Sequence, residues 1–165
     1  MSRPSSPPSG APPANAGVRF PPPTLFVLGF LIGWLLHRVR ALPILPPSTA
    51  AREPIGVALL GVGLAVMLWA LVTFVVARTA VIPNRPATRL VTSGPYRFSR
   101  NPMYTGLTLA YLGLTLLVNS AWPLLLLPLV IMALLALVIQ REERYLRSAF
   151  GDEYGEYTRR VRRWL

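Results

Sequence analysis

Two charged stretches carry the polar chemistry of this chain. The first is Gly94-Pro-Tyr-Arg-Phe-Ser-Arg-Asn-Pro-Met-Tyr-Thr-Gly106 and the second is Gln140-Arg-Glu-Glu-Arg-Tyr-Leu146. In a sequence that is 53% hydrophobic, they flank a pair of apolar runs joined by Asn119-Ser120. Asn101-Pro102 reads as a helix start, because Asn is a favoured N-cap and Pro suits the first helical position. The backbone amides around Met103 and Tyr104 are then free, and with Arg97 and Arg100 beside them they favour an anionic group such as a carboxylate. Glu142 and Glu143 follow the next apolar run directly, among Arg141, Arg144 and Arg147. Acids at the end of a helix oppose its dipole and require a partner, either a cationic ligand group or nearby arginines. Side by side, the two ends could clasp a zwitterion. The competing expectation is that these arginines only snorkel to lipid phosphates and that the Glu–Arg network only fixes helix position.

The elements that must position these residues are membrane helices. The chain has 165 residues, enough for one domain, and a mean hydropathy of +0.47, so its solvent is lipid. Apolar runs at 25–36, 55–77, 103–118 and 121–139 predict four spans, the first and third being short against the roughly 20 residues a span requires. Asn119-Ser120 is a tight turn, so the third and fourth spans form a hairpin whose open ends share one side. Pro123 falls in the first turn of the fourth helix, whereas Pro128 is expected to kink it. Gly29 and Gly33, Gly56, Gly61 and Gly63, and Gly106, Ala110 and Gly113 allow close helix packing within one bundle.

The flanks are polar or irregular. Residues 1–22 form a Pro-rich tail expected to be disordered, and 23–165 form the membrane domain. No removable signal peptide is expected. After residue 145, Leu146, Phe150, Tyr154, Tyr157, Val161 and Leu165 recur at helical spacing, with Arg159, Arg160, Arg162 and Arg163 crowding the end. This is a basic amphipathic segment, broken at Gly151, which either anchors to the membrane surface or folds over the site as a lid.

Charge and composition narrow the function. The net charge is +11 with no Lys, and the arginines concentrate at helix ends, which is what topology requires and argues against a nucleic-acid partner. Arg78, Arg85, Arg89, Arg97 and Arg100 between the second and third spans, with seven arginines after the fourth, place both segments and the two termini in the cytoplasm. Arg38, Arg40 and Arg52 on the opposite side run against that rule. With no Cys, thiolate chemistry and disulfides are excluded, and the lone His37 reads as an interfacial residue rather than a metal ligand.

GPYRFSRNPMYTG resembles the RHPxYxG-type motif of the isoprenylcysteine carboxyl methyltransferases and their phospholipid methyltransferase relatives. REERYLRSAFGDEYGEYTRRVRRWL resembles the EE motif and C-terminal tail of the same enzymes, and the likeness covers about residues 80–165. The resemblance implies an all-α integral membrane bundle of about four transmembrane helices with a cytosolic amphipathic C-terminal segment, in a bacterial inner membrane. It implies an S-adenosylmethionine-dependent methyltransferase whose acceptor, lipophilic or a lipid, arrives from the bilayer. Carried over by motif, Arg100, Asn101, Pro102, Tyr104, Gly106, Glu142 and Glu143 would border the cofactor, alongside Arg97 and Met103 from the helix-start argument. Arg144 and Arg147, with Glu143, are candidates for work on the acceptor. The motif's usual His is Asn101 here, which cannot titrate near neutrality. Methyl transfer depends mainly on alignment; only a neutral amine acceptor would need a base, for which Glu142, Glu143 or Tyr104 could serve. Two rival readings are an NADPH-binding enzyme like the membrane sterol reductases and a non-catalytic membrane assembly or regulatory protein. Oligomeric state is left open by the sequence.

Overall fold

A computed structural model describes residues 17–18, 21–79 and 88–164. Most of the expected N-terminal tail, Arg85 and Leu165 lie outside the described residues. The described residues are all-α. Helix α1 is Pro23–Val39, α2 Arg52–Val76, α3 Pro102–Val118, α4 Ala121–Leu134 and α5 Gln140–Arg160, with a single 3-10 turn at Gly94–Arg97 before α3. Helix α2 and the helical rod that starts at Ala121, which reaches Arg160 across a kink at Gly151, are long and apolar enough to cross a bilayer. Helices α1 and α3, at 17 residues each, are about 26 Å long by helical rise. The outward face of α2 carries Val57, Leu64, Leu68, Leu71, Val72 and Val75, each more than two-fifths exposed. So much apolar surface facing outward fits hydrocarbon as the surrounding medium.

The helices associate as two close pairs, α2 with α3 and α1 with α4, while α3 and α4 touch little despite the short turn between them. Glycine sets both pairings. A Cβ on Gly113 would lie 2.7 Å from the Gly56 carbonyl oxygen, and one on Gly63 would lie 2.6 Å from that of Gly106. Backbones at this separation gain dispersion contacts that lipid cannot match. On the other pair, Gly29 meets Val130, and a Cβ on Gly33 would approach Pro123 N to 2.6 Å. Apart from Gly61, which faces outward with nothing within 4 Å of where a Cβ would lie, the small residues therefore serve packing inside the bundle. Tyr111 joins the pairs: its ring meets Phe26 and Phe30 edge-on, and its hydroxyl donates to the Pro123 carbonyl at 2.8 Å.

Polar bonds close the end of the bundle away from the charged motifs. Asn119 turns the chain with φ 52°, and its side chain accepts from Ile44 N and Leu45 N and donates to Leu45 O. Arg52 donates to the carbonyls of Leu116 and Leu117 at 2.8 and 2.7 Å, capping the C-terminus of α3. Of the three arginines that run against the charge rule, Arg52 thus has a structural task.

Helix α4 runs past Pro128 without a break, and the backbone departs from α geometry at a π-helical turn, Leu135–Ile139. One sequence expectation about the fourth helix needs correction: it does not end before Glu142, because the helix continues through that turn into α5. The expected conflict between these acids and a helix terminus therefore does not arise. Gly151, with φ 48° and ψ −118°, interrupts α5 as its composition suggests. Beyond it, Tyr154, Tyr157 and Val161 bury against Leu90 with help from Leu146 and Phe150.

Candidate functional site

The 3-10 turn, the start of α3, the first turns of α5 and the last residues of the chain meet at one end of the bundle. Gly94 begins the turn with φ 58°, where a side chain would strike Thr73 of α2. Tyr96 then buries against Phe74, ring centroids 5.1 Å apart, and its carbonyl accepts the Tyr157 hydroxyl at 2.8 Å. Burial lifts the phenols of Tyr96 and Tyr157 above their ordinary range, so both remain neutral donors.

After α5 the chain turns extended at Val161 and runs back along the start of α3 as a strap, residues 161–164. Arg100 N donates to Arg162 O at 2.9 Å. Ser99 Oγ and Asn101 Nδ2 both donate to Arg163 O, at 3.2 and 3.1 Å. Asn101 therefore occupies the position before α3 without capping it through its side chain. Its amide is turned to the strap, and its backbone carbonyl accepts from Tyr104 N and Thr105 N instead. The Tyr104 amide, expected to be free, is thereby bonded.

The adjacent glutamates have different surroundings. Glu143 is nearly enclosed and receives a two-pronged bond from Arg163, Nε to Oε1 at 2.9 Å and Nη2 to Oε2 at 2.7 Å. Arg100 Nη1 adds an ion pair at 3.3 Å. These bonds hold the Arg163 guanidinium above its usual range. Glu142 accepts only the Tyr104 hydroxyl, at 2.9 Å on Oε1, and has no ion pair among the described residues. Burial pushes its carboxyl up to about 7; the Tyr104 bond opposes the rise and the Glu143 charge adds to it. Arg100 supplies a second unsatisfied feature, a buried Nε with no partner among the described residues.

Of the residues singled out from sequence, Arg100, Asn101, Tyr104, Glu142 and Glu143 come together. Pro102 is buried at the start of α3, and Met103 packs toward Tyr96 and Ala70. Gly106 faces Gly63 and Met67 of α2 rather than the polar cluster. Arg97, Arg144 and Arg147 are exposed, and Arg144 donates to the carbonyl of Gln140 on its own helix. Sequence reasoning missed Ser99 and the specific part of Arg163, one among four clustered arginines. The signal for Arg163 lay in the excess of arginine over acid near Glu143.

A profile of the phospholipid methyltransferases matches residues 52–153, which span α2, the polar motif, the hairpin and the glutamates. The chain belongs to the phospholipid methyltransferase family. Among curated proteins of similar sequence, the cobalt-zinc-cadmium resistance protein CzcN of Cupriavidus metallidurans is 40% identical over 80 residues, 48% of this chain and 37% of that one. The Protein-S-isoprenylcysteine O-methyltransferase of Schizosaccharomyces pombe is 39% identical over 72 residues, 44% and 30% of the two chains. An uncharacterized protein of Haemophilus influenzae is 43% identical over 63 residues, 38% of this chain and all of its own. The matched region thus spans about a third of the first two relatives. No solved structure matches this member of the phospholipid methyltransferase family.

Proposed function

We propose that this chain transfers the methyl group of S-adenosylmethionine to a lipophilic acceptor at the cytoplasmic face of the membrane. Family membership supports methyl transfer, and the observation that carries the choice of cofactor is Glu142. A largely buried carboxylate, held by one phenol and matched by no cation among the described residues, suits a ligand that brings positive charge. The buried Nε of Arg100 suits a carboxylate on the same ligand.

When bound, S-adenosylmethionine supplies an electrophilic methyl group on a sulfonium. Glu142 would offer Oε2 to the ligand's cationic end, with the Tyr104 hydroxyl fixing Oε1. Arg100 would hold the anionic end, and Glu143, gripped by Arg163, would keep the strap across the start of α3 and so keep water from the site. Aligning the acceptor with the methyl group supplies most of the rate. An acceptor that is already a carboxylate or thiolate needs no base. A neutral amine would have to lose a proton, and with both oxygens of Glu142 engaged this reading favours an acceptor that is already anionic. The arginines of residues 78–100 and of the tail favour a cytoplasmic site with both termini inside, in the inner membrane of a bacterium.

The test is transfer of labelled methyl from S-adenosylmethionine to panels of phospholipids, long-chain thiols and isoprenylcysteines, with the full chain in nanodiscs. Labelled product from wild type, and its loss in Glu142→Gln, is the expected result. Binding of NADPH in preference to S-adenosylmethionine would overturn the proposal, as would binding of neither.

A further inference from the structure

Between α3, α4 and the strap lies an apolar cleft of about 320 Å³ lined by Thr105, Thr108, Leu109, Ile131 and Trp164. Its two hydroxyls are already spent: Thr105 Oγ1 donates to Asn101 O at 3.2 Å and Thr108 Oγ1 to Tyr104 O at 2.8 Å. Both threonines thus present methyl groups, and the lining contains no charged side chain. Such a wall suits hydrocarbon, since a polar group placed there would lose its hydration without gaining a partner. Every lining residue is half-buried, so the cleft is reachable from outside the bundle.

The cleft is continuous with the polar cluster in the chain. Thr105 and Thr108 lie in the first two turns of α3, between and beside the residues that hold the strap and Glu142. Trp164 directly follows Arg163, whose guanidinium and carbonyl are both fixed. The indole packs on the membrane core formed by Tyr104, Tyr111, Val130 and Leu134. It is the one lining residue that does not come from a transmembrane helix, and its position is set by the polar bonds of its neighbour.

Resting on the methyltransferase reading above, we propose that this cleft seats the hydrocarbon chain of the acceptor and that Trp164 is a specificity-determining residue, setting the cross-section of chain admitted. The indole closes one side of a space otherwise bounded by two helices. A straight chain passes beside it, and a branched chain meets it.

The experiment uses the full chain in phosphatidylcholine nanodiscs with trace diazirine probes: a straight hexadecyl alcohol, a branched phytanyl alcohol, and a phosphatidylcholine bearing the diazirine in one acyl chain. Cross-linked peptides are mapped by mass spectrometry. The hexadecyl probe is expected on 105–109 and Ile131 in excess over Leu64 and Leu68 of the outward α2 face, and the phosphatidylcholine probe without such excess. Trp164→Ala should raise the phytanyl-to-hexadecyl ratio in the cleft by about tenfold, and Trp164→Phe should leave it near wild type. Calorimetry with S-adenosylhomocysteine checks that each variant retains its polar site. Equal labelling of α3 and α2, the same enrichment for the phosphatidylcholine probe, or an unchanged ratio in a Trp164→Ala protein that still binds S-adenosylhomocysteine would each overturn the proposal. Loss of cofactor binding in wild type with cleft labelling retained would remove the methyltransferase reading and keep the hydrocarbon site.

Discussion

Arg163 lays its guanidinium along both oxygens of Glu143, at 2.9 and 2.7 Å, and so ties the last turns of the chain to the end of its fourth span. Planar two-point pairing of this kind is specific to arginine. Arg163→Ala should lower stability by about 1–2 kcal/mol, the lower part of the range for charged hydrogen bonds because Arg163 is partly exposed. It should also weaken S-adenosylmethionine binding. Arg163→Lys should recover only part of either loss. Thermal unfolding in detergent and binding isotherms measure both, and wild-type values for the alanine variant would mean the strap is held by its backbone bonds alone.

If Glu142 meets the cationic end of the ligand as proposed, binding should depend on pH. Its carboxyl sits near 7 in the folded protein against an ordinary value of 4.5. A raised pKa means that its contribution to stability is complete below about 4.5 and is lost as pH rises through about 7. A cationic ligand reverses the preference, because it binds the ionised form. Affinity for S-adenosylmethionine should therefore climb as pH rises toward 7 and then level, whereas Glu142→Gln should bind weakly and without that slope. Isotherms at a series of pH values between 5 and about 8 read this directly; a parallel slope in the glutamine variant would assign the dependence to another group.

Asn101 donates its amide to the Arg163 carbonyl, so replacements should sort by their capacity to donate. Asn101→Asp keeps N-cap character but sets a carboxylate against a carbonyl, and should cost more than Asn101→Ala, for which about 1 kcal/mol is expected. Asn101→His retains an N–H and should lie closest to wild type. Should Asp prove the mildest of the three in thermal unfolding, the side chain caps α3 after all.

The α2–α3 seam predicts a contrast between glycines on one helix. Gly63→Ala forces a methyl against the Gly106 carbonyl and the Ala110 backbone, whereas a methyl at Gly61 would meet nothing within 4 Å. The first should destabilise by about 1–3 kcal/mol and the second should be close to neutral. Unfolding of the two variants in the same detergent decides it, and equal effects would place the seam elsewhere.

Much of this arrangement was legible in the residues. Asn101-Pro102 marked the start of α3, Asn119-Ser120 the hairpin turn and Gly151 the break in α5, because each rests on local backbone chemistry. The opposition of Arg100 and Glu143 followed from a hairpin with both ends on one side. The strap was not legible: residues 161–164 are irregular and have no period to read, and the partners of their backbone carbonyls are some sixty residues away. The different fates of Glu142 and Glu143 were hidden for the same reason, since neighbours of identical type differ only in what distant segments bring to them. The continuation of α4 into α5 was equally hidden, because a polar stretch after an apolar run looks like an exit from the helix as well as from the membrane.

The π turn at Leu135–Ile139 acts as a phase offset in the rod. A π turn accommodates one residue more than the α-helical path it replaces, and consecutive helical residues differ by about 100° in azimuth. Upstream of the offset the rod presents its faces to α1 and lipid; downstream it aims Glu142 at Tyr104 and Glu143 at the strap. Were the same residues wound as unbroken α-helix, the downstream register would slip by one step, so that Arg141 would fall where Glu142 stands and Glu142 where Glu143 receives two arginines. The spare residue is thus an address written into the backbone, and it decides which glutamate meets the phenol and which meets the guanidinium.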